Sequence, residues 1–143
     1  MTGLERARAD LARGDARKAR DRLKGLVATF PDSVEIRGLL AEAYRRDRQF
    51  PEAGRWGYLV GDAATDAERR AFERHAGFGW RGRITESRLR RLLRTDELAV
   101  IADDDGRGML RTLPSRRHPD RPDGLGAALA RAVATLRAAL TWR

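Results

Sequence analysis

The chain has 143 residues, enough for one domain with an appended region, and it has no cysteine, which excludes a disulfide framework and thiolate metal sites. No apolar run approaches the ~18 residues of a membrane span, and residues 1–6 carry acid and base at helical spacing rather than an apolar leader, so a cytoplasmic protein with no membrane partner is expected. The formal charge of +9 raises the question of a nucleic-acid partner, but 28 of the 30 basic residues are arginine, a skew that a GC-rich, alanine-rich coding sequence writes into any solvated surface.

In chain order, the first signals are helical. Thr2 with Glu5, Asp32 with Glu35 and Thr65 with Glu68 have the spacing of capping boxes, Asp15 can cap a second helix, and Pro51 suits the first turn of a fourth. These marks predict helices near 3–13, 16–29, 33–47 and 51–60, and a fifth near 66–76 ending at a C′ glycine, Gly77. Ala7 and Ala41 are 34 residues apart, as are Ala19 and Ala53. Small residues at that period let paired helices approach closely while large neighbours fill the groove between them.

Residues 40–53 run Leu40-Ala41-Glu42-Ala43-Tyr44, then a polar turn, then Phe50-Pro51-Glu52-Ala53, and residues 14–31 follow the same frame from Gly14-Asp15 to Phe30-Pro31. This pattern resembles the tetratricopeptide repeat, with departures: Arg6 stands at a large apolar position, Arg48 at the turn glycine and Thr65 at a usual proline. The stretch Glu52-Ala53-Gly54-Arg55-Trp56-Gly57-Tyr58-Leu59-Val60-Gly61 further resembles a family of small actinobacterial proteins of unknown function with a repeat-like N-terminal half. The resemblance covers roughly residues 1–77 and implies a mainly α fold: two stacked antiparallel hairpins and a capping helix. Two hairpins are fewer than the three such arrays usually need, so a further element must cover the open end.

From residue 78 the character changes. Residues 1–75 hold 16 bases and 13 acids (+3), whereas 76–143 hold 14 bases and 8 acids (+6). The division expected is therefore a repeat region, 1–77, and a basic C-terminal region, 78–143. Gly77-Phe78-Gly79-Trp80-Arg81-Gly82 satisfies the dinucleotide fingerprint in letters only, because the segment before it reads as helix rather than strand. Thr85 caps a short basic helix over 85–94, with Ile84 and Leu89 at hydrophobic-staple spacing. Residues 98–113 are compatible with a small β-hairpin around an Asp-Gly turn or with a short helix and loop. Counting from Asp103, a calcium loop fails at Arg107 and Pro114. A linker over 114–124 leads to a terminal amphipathic helix over 125–142, which packs on the repeats or supports a homodimer.

No catalytic constellation is present. His75 and His118 lack neighbouring ligands, the three serines (Ser33, Ser87, Ser115) lie outside any nucleophile elbow, and there is no phosphate-binding loop. No enzyme activity, cofactor or metal is expected. The expected function is protein–protein interaction: the first helix of each hairpin lines a groove in which Arg8, Glu42, Arg45 and Arg46 face an acidic peptide or partner surface. The alternative is nucleic acid gripped by Arg81, Arg83, Arg88, Arg90, Arg91 and Arg94 with Trp80 stacking on bases.

Overall fold

The computed structural model describes residues 1–77 and 84–113, and over these the chain is mainly helical with no strand. Seven α-helices follow in order: α1 Gly3–Ala12, α2 Ala16–Thr29, α3 Val34–Arg46, α4 Phe50–Trp56, α5 Asp66–His75, α6 Glu86–Leu93 and α7 Asp104–Thr112. A single 3-10 turn, Gly61–Ala63, lies between α4 and α5. The terminal helix expected over 125–142, the linker and the glycine-rich segment 78–82 lie outside the described residues.

α1 and α2 form one hairpin, α3 and α4 a second stacked on it, and α5 packs along α4. The four alanines at the 34-residue period, Ala7, Ala19, Ala41 and Ala53, retain no exposed surface, and Leu11, Leu23 and Leu40 fill the space between the helices around them. The two hairpin turns repeat as well. Gly14 has φ 83° and Arg48, 34 positions later, has φ 58°. The turn demands a left-handed residue, and in the second hairpin a side-chain-bearing arginine adopts it without glycine's freedom.

The caps hold at Thr2 and Thr65, where both halves of the capping box are made. At the start of α3 the expectation needs correction. Ser33, not Asp32, is the N-cap: its hydroxyl accepts from the Ile36 amide, and Asp32 accepts instead from the Thr95 hydroxyl at 3.3 Å. Asp15 stands at the N-cap of α2 but its side chain makes no cap bond. α4 also stops earlier than expected, at Trp56. There the chain turns back on itself so tightly that a Cβ on Gly57 would lie 2.7 Å from the Ala63 carbonyl carbon and from Ala64 Cβ.

A second buried cluster forms around that turn. Tyr58, Leu59 and Phe72 pack with Ile84, Leu89, Leu93, Leu98 and Ile101, so one apolar core runs from the end of the second hairpin into α6 and beyond. Tyr58 meets Phe72 edge-on at 5.2 Å and donates to Glu73 at 2.8 Å. The staple pair Ile84 and Leu89 is buried here as the spacing predicts.

The β-hairpin alternative for 98–113 is overturned: α7 occupies its second half. Asp103 caps this helix by accepting from Gly106 N at 2.8 Å, and its other carboxylate oxygen accepts from Gly61 N at 2.5 Å. The Asp-Gly pair is not a turn because Gly106 sits against the backbone of Leu59, where a Cβ would come within 1.9 Å of the carbonyl oxygen. Local turn propensity yields here to a tertiary contact.

Candidate partner-binding surfaces

The two hairpins carry all four of the expected contact residues, and each is engaged within the chain. Arg8 of α1 pairs with Glu35 of α3. Arg46 donates to the Leu11 carbonyl at 2.6 Å and to Glu42 one turn back. Arg45 grips Glu68 with two bonds, at 2.6 and 2.8 Å, and also donates to the Ala63 carbonyl at 2.7 Å. Glu68 is buried, and burial alone would raise its pKa, but the Arg45 bond and the Thr65 backbone outweigh it and hold the carboxylate below its ordinary range. The same bond raises Arg45 above the usual arginine value. Arg45 therefore joins α3 to α5 before it can meet any ligand.

The same use of arginine recurs where α6 meets the hairpins. The last carbonyls of an α-helix lack partners and carry the negative end of its dipole. Arg55 of α4 donates to Leu92 O at 2.7 Å, and Arg37 of α3 donates to Leu93 O at 2.9 Å and Arg94 O at 3.3 Å. Arg37 also holds the Pro31 carbonyl at 2.7 Å and is 1% exposed. Both guanidiniums lie near the Trp56 ring, 5.4 and 5.2 Å from its centroid. Burial lowers the Arg37 pKa to about 10, with Asp32 raising it and Arg55 lowering it, so it keeps its charge at neutral pH. Arg69 of α5 acts likewise on the turn after α4, reaching the carbonyls of Tyr58, Val60 and Gly61 at 3.1, 2.9 and 2.8 Å.

No amphipathic pattern marks these residues. Arg37, Arg55 and Arg69 read as solvated charges in the sequence, and only the adjacency of Arg55 to Trp56 hints at a stacked guanidinium. Asp10 is hidden in the same way. It is buried in α1, where Arg22 at 2.7 Å and Arg13 at 2.5 Å bind its two oxygens. Burial pushes its pKa up, and the Arg22 bond with the charges of Arg22, Lys18 and Arg13 brings it below the ordinary value.

The basic cluster on α6 divides in two. Arg81 and Arg83, with Trp80, lie outside the described residues. Arg88 donates to the Ala76 carbonyl at 2.6 Å and Arg90 pairs with Glu86. Arg91 and Arg94 are exposed and form no ion pair among the described residues. With Arg90 they border a cleft of about 500 Å³ between the α2–α3 turn and the segment after α6. Asp32, Asp96, Glu97 and the half-exposed Val100 line it as well, with Pro31 and Thr95. Arg94 reaches the cleft because it caps α6 in the left-handed region, φ 52°, which turns the chain sharply there.

No group of three or more potential metal ligands occurs among the described residues, and none of their helices is long and apolar enough to cross a membrane. The sequence model of a family of unknown function (DUF6584) matches residues 1–94, and the chain belongs to that family. No curated protein and no solved structure matches the chain.

Proposed function

We propose that this member of the family acts as a cytoplasmic, non-catalytic interaction module of the tetratricopeptide kind, and that it takes a segment of a partner protein in the cleft beside α6. The observation that carries the reading is the mixed sign of that cleft. Arg91 and Arg94 supply cations that form no ion pair among the described residues, while Asp32, Asp96, Glu97 and the apolar Val100 line the same cleft. A polypeptide presents acids, bases and apolar groups side by side and complements such a lining, whereas a phosphate backbone would bring one sign of charge against three carboxylates. The repeat face is the weaker candidate, since an acidic ligand there must displace Glu35, Glu42 or Glu68 from its arginine.

Salt separates this reading from nucleic-acid binding. Fluorescence anisotropy would compare a peptide carrying interspersed acidic, basic and leucine residues with a mixed-sequence single-stranded oligonucleotide across a salt series. The proposal expects the peptide to bind more tightly at physiological ionic strength and to lose little as salt rises, because part of its contact is apolar. Tight oligonucleotide binding that falls by orders of magnitude over a few-fold rise in salt would overturn it.

A further inference from the structure

Next to the cleft, and sharing Arg94 with it, lies a smaller and drier pocket of about 270 Å³ between α2, α3, α4 and the end of α6. Val27, Ala28, Pro31 and Trp56 give it apolar lining, Arg37 borders it, and Lys24 and Arg94 bring two exposed cations to it. One feature of Trp56 is unaccounted for by the fold. The residue is 6% exposed, and its Nε1–H is buried with no hydrogen-bond partner among the described residues. An orphaned buried donor costs about 1–3 kcal/mol, a cost native structures rarely carry without use. Arg37 already directs a donor from each of its three nitrogens at a backbone carbonyl, so its place in the pocket is fixed by the fold.

We propose that this pocket binds an apolar monocarboxylate, its aromatic or branched aliphatic body against Val27, Pro31 and Trp56 and its carboxylate toward Lys24 and Arg94. Three properties select that class. The volume is below the usual range for drug-sized or nucleotide ligands and suits a body of one side chain. The apolar lining disfavours a bare phosphate or sulfate. Lys24 and Arg94 form no ion pair among the described residues, so an anion entering there displaces no internal carboxylate. The same chemistry is offered by a free small acid and by the C-terminal residue of a peptide.

The test uses the full chain labelled with ¹⁵N and follows the Trp56 indole N–H cross-peak, assigned with W56F or, if that variant does not fold, by elimination with W80F and W142F. Phenylacetate, phenylacetamide and an acetylated tripeptide ending in phenylalanine with a free carboxylate are titrated in turn. Saturable movement of the Trp56 signal with either acid, at least tenfold weaker with the neutral amide, is the expected result. The tighter of the two acids identifies the source. A variant carrying Lys24→Ala and Arg94→Gly should weaken the acids at least tenfold; glycine is chosen because it keeps the left-handed cap and the carbonyl that Arg37 holds. Equal binding of acid and amide, undiminished binding by the double variant, or no saturable shift at all would each overturn the proposal. Because Arg94 also lines the cleft, an Arg91→Glu variant separates the two readings: it should leave acid binding in this pocket unchanged, and equal loss in that variant would overturn the proposal.

Discussion

Replacing Arg37 by methionine tests the idea that arginines fasten the later helices, α6 above all, to the two N-terminal hairpins. The side chain is almost fully buried and donates to three carbonyls, at 2.7, 2.9 and 3.3 Å, two of them at the end of α6. A bond from a charged donor contributes about 1.5 kcal/mol net or more, and the 3.3 Å contact less, so the three sum to about 4 kcal/mol. Methionine recovers part of this, because it avoids desolvating a cation and packs on Trp56, leaving a loss of about 2–3 kcal/mol. For a chain of this size that corresponds to a fall in Tm of roughly 5–10 °C. Urea denaturation and thermal melts would read the total, and amide exchange would locate it: protection should fall first in α6. A variant with stability within about 0.5 kcal/mol of wild type and unchanged exchange in α6 would refute the reasoning.

Arg48→Gly should stabilise the protein by about 0.5–1 kcal/mol, seen as a rise in Tm, because glycine adopts the left-handed turn at φ 58° without the Cβ penalty; an unchanged or lower Tm would count against it. Gly106→Ala should cost about 2–3 kcal/mol and expose α7 to amide exchange, since its Cβ would overlap the Leu59 carbonyl and must push the helix off its dock. Arg45→Ala should cost about 2 kcal/mol in urea melts, a buried-pair loss discounted for the partial exposure of Arg45, by leaving Glu68 buried without its cation. The Glu68 pKa is depressed in the fold, so its contribution is present above the ordinary carboxylate range and is lost as pH falls through the folded value. Stability should therefore drop on acidification below about pH 4.5, and Glu68→Gln should flatten that drop.

What could be read from the sequence is what periodicity and capping encode. The alanine period placed all four close-packed positions of the hairpins, and Thr2, Thr65 and Thr85 marked true helix starts because their hydroxyls bond an amide three residues on. Ser33 beside Asp32 shows the limit: both residues can cap, and the choice depends on Asp32 having an alternative partner in Thr95, 63 positions away. α7 is ambiguous in the sequence for a related reason, since its start depends on Gly61 and Leu59 across the core. The candidate surfaces are the least legible. Composition cannot tell an arginine that caps a distant carbonyl, such as Arg37 or Arg69, from an exposed one such as Arg91. Among the described residues, arginines such as Arg37, Arg45, Arg55 and Arg69 are neither a ligand grip nor idle surface but internal fastening.

The most direct test of the interaction reading is capture of partners from native lysate by tagged wild-type protein and by an Arg91→Glu variant, both treated with nuclease at near-physiological salt. The account predicts a stoichiometric protein that survives nuclease with wild type and is lost with the variant, whose fold should be intact because Arg91 is exposed and makes no ion pair among the described residues. Bound material that disappears with nuclease, or a partner retained equally by both proteins, would contradict it.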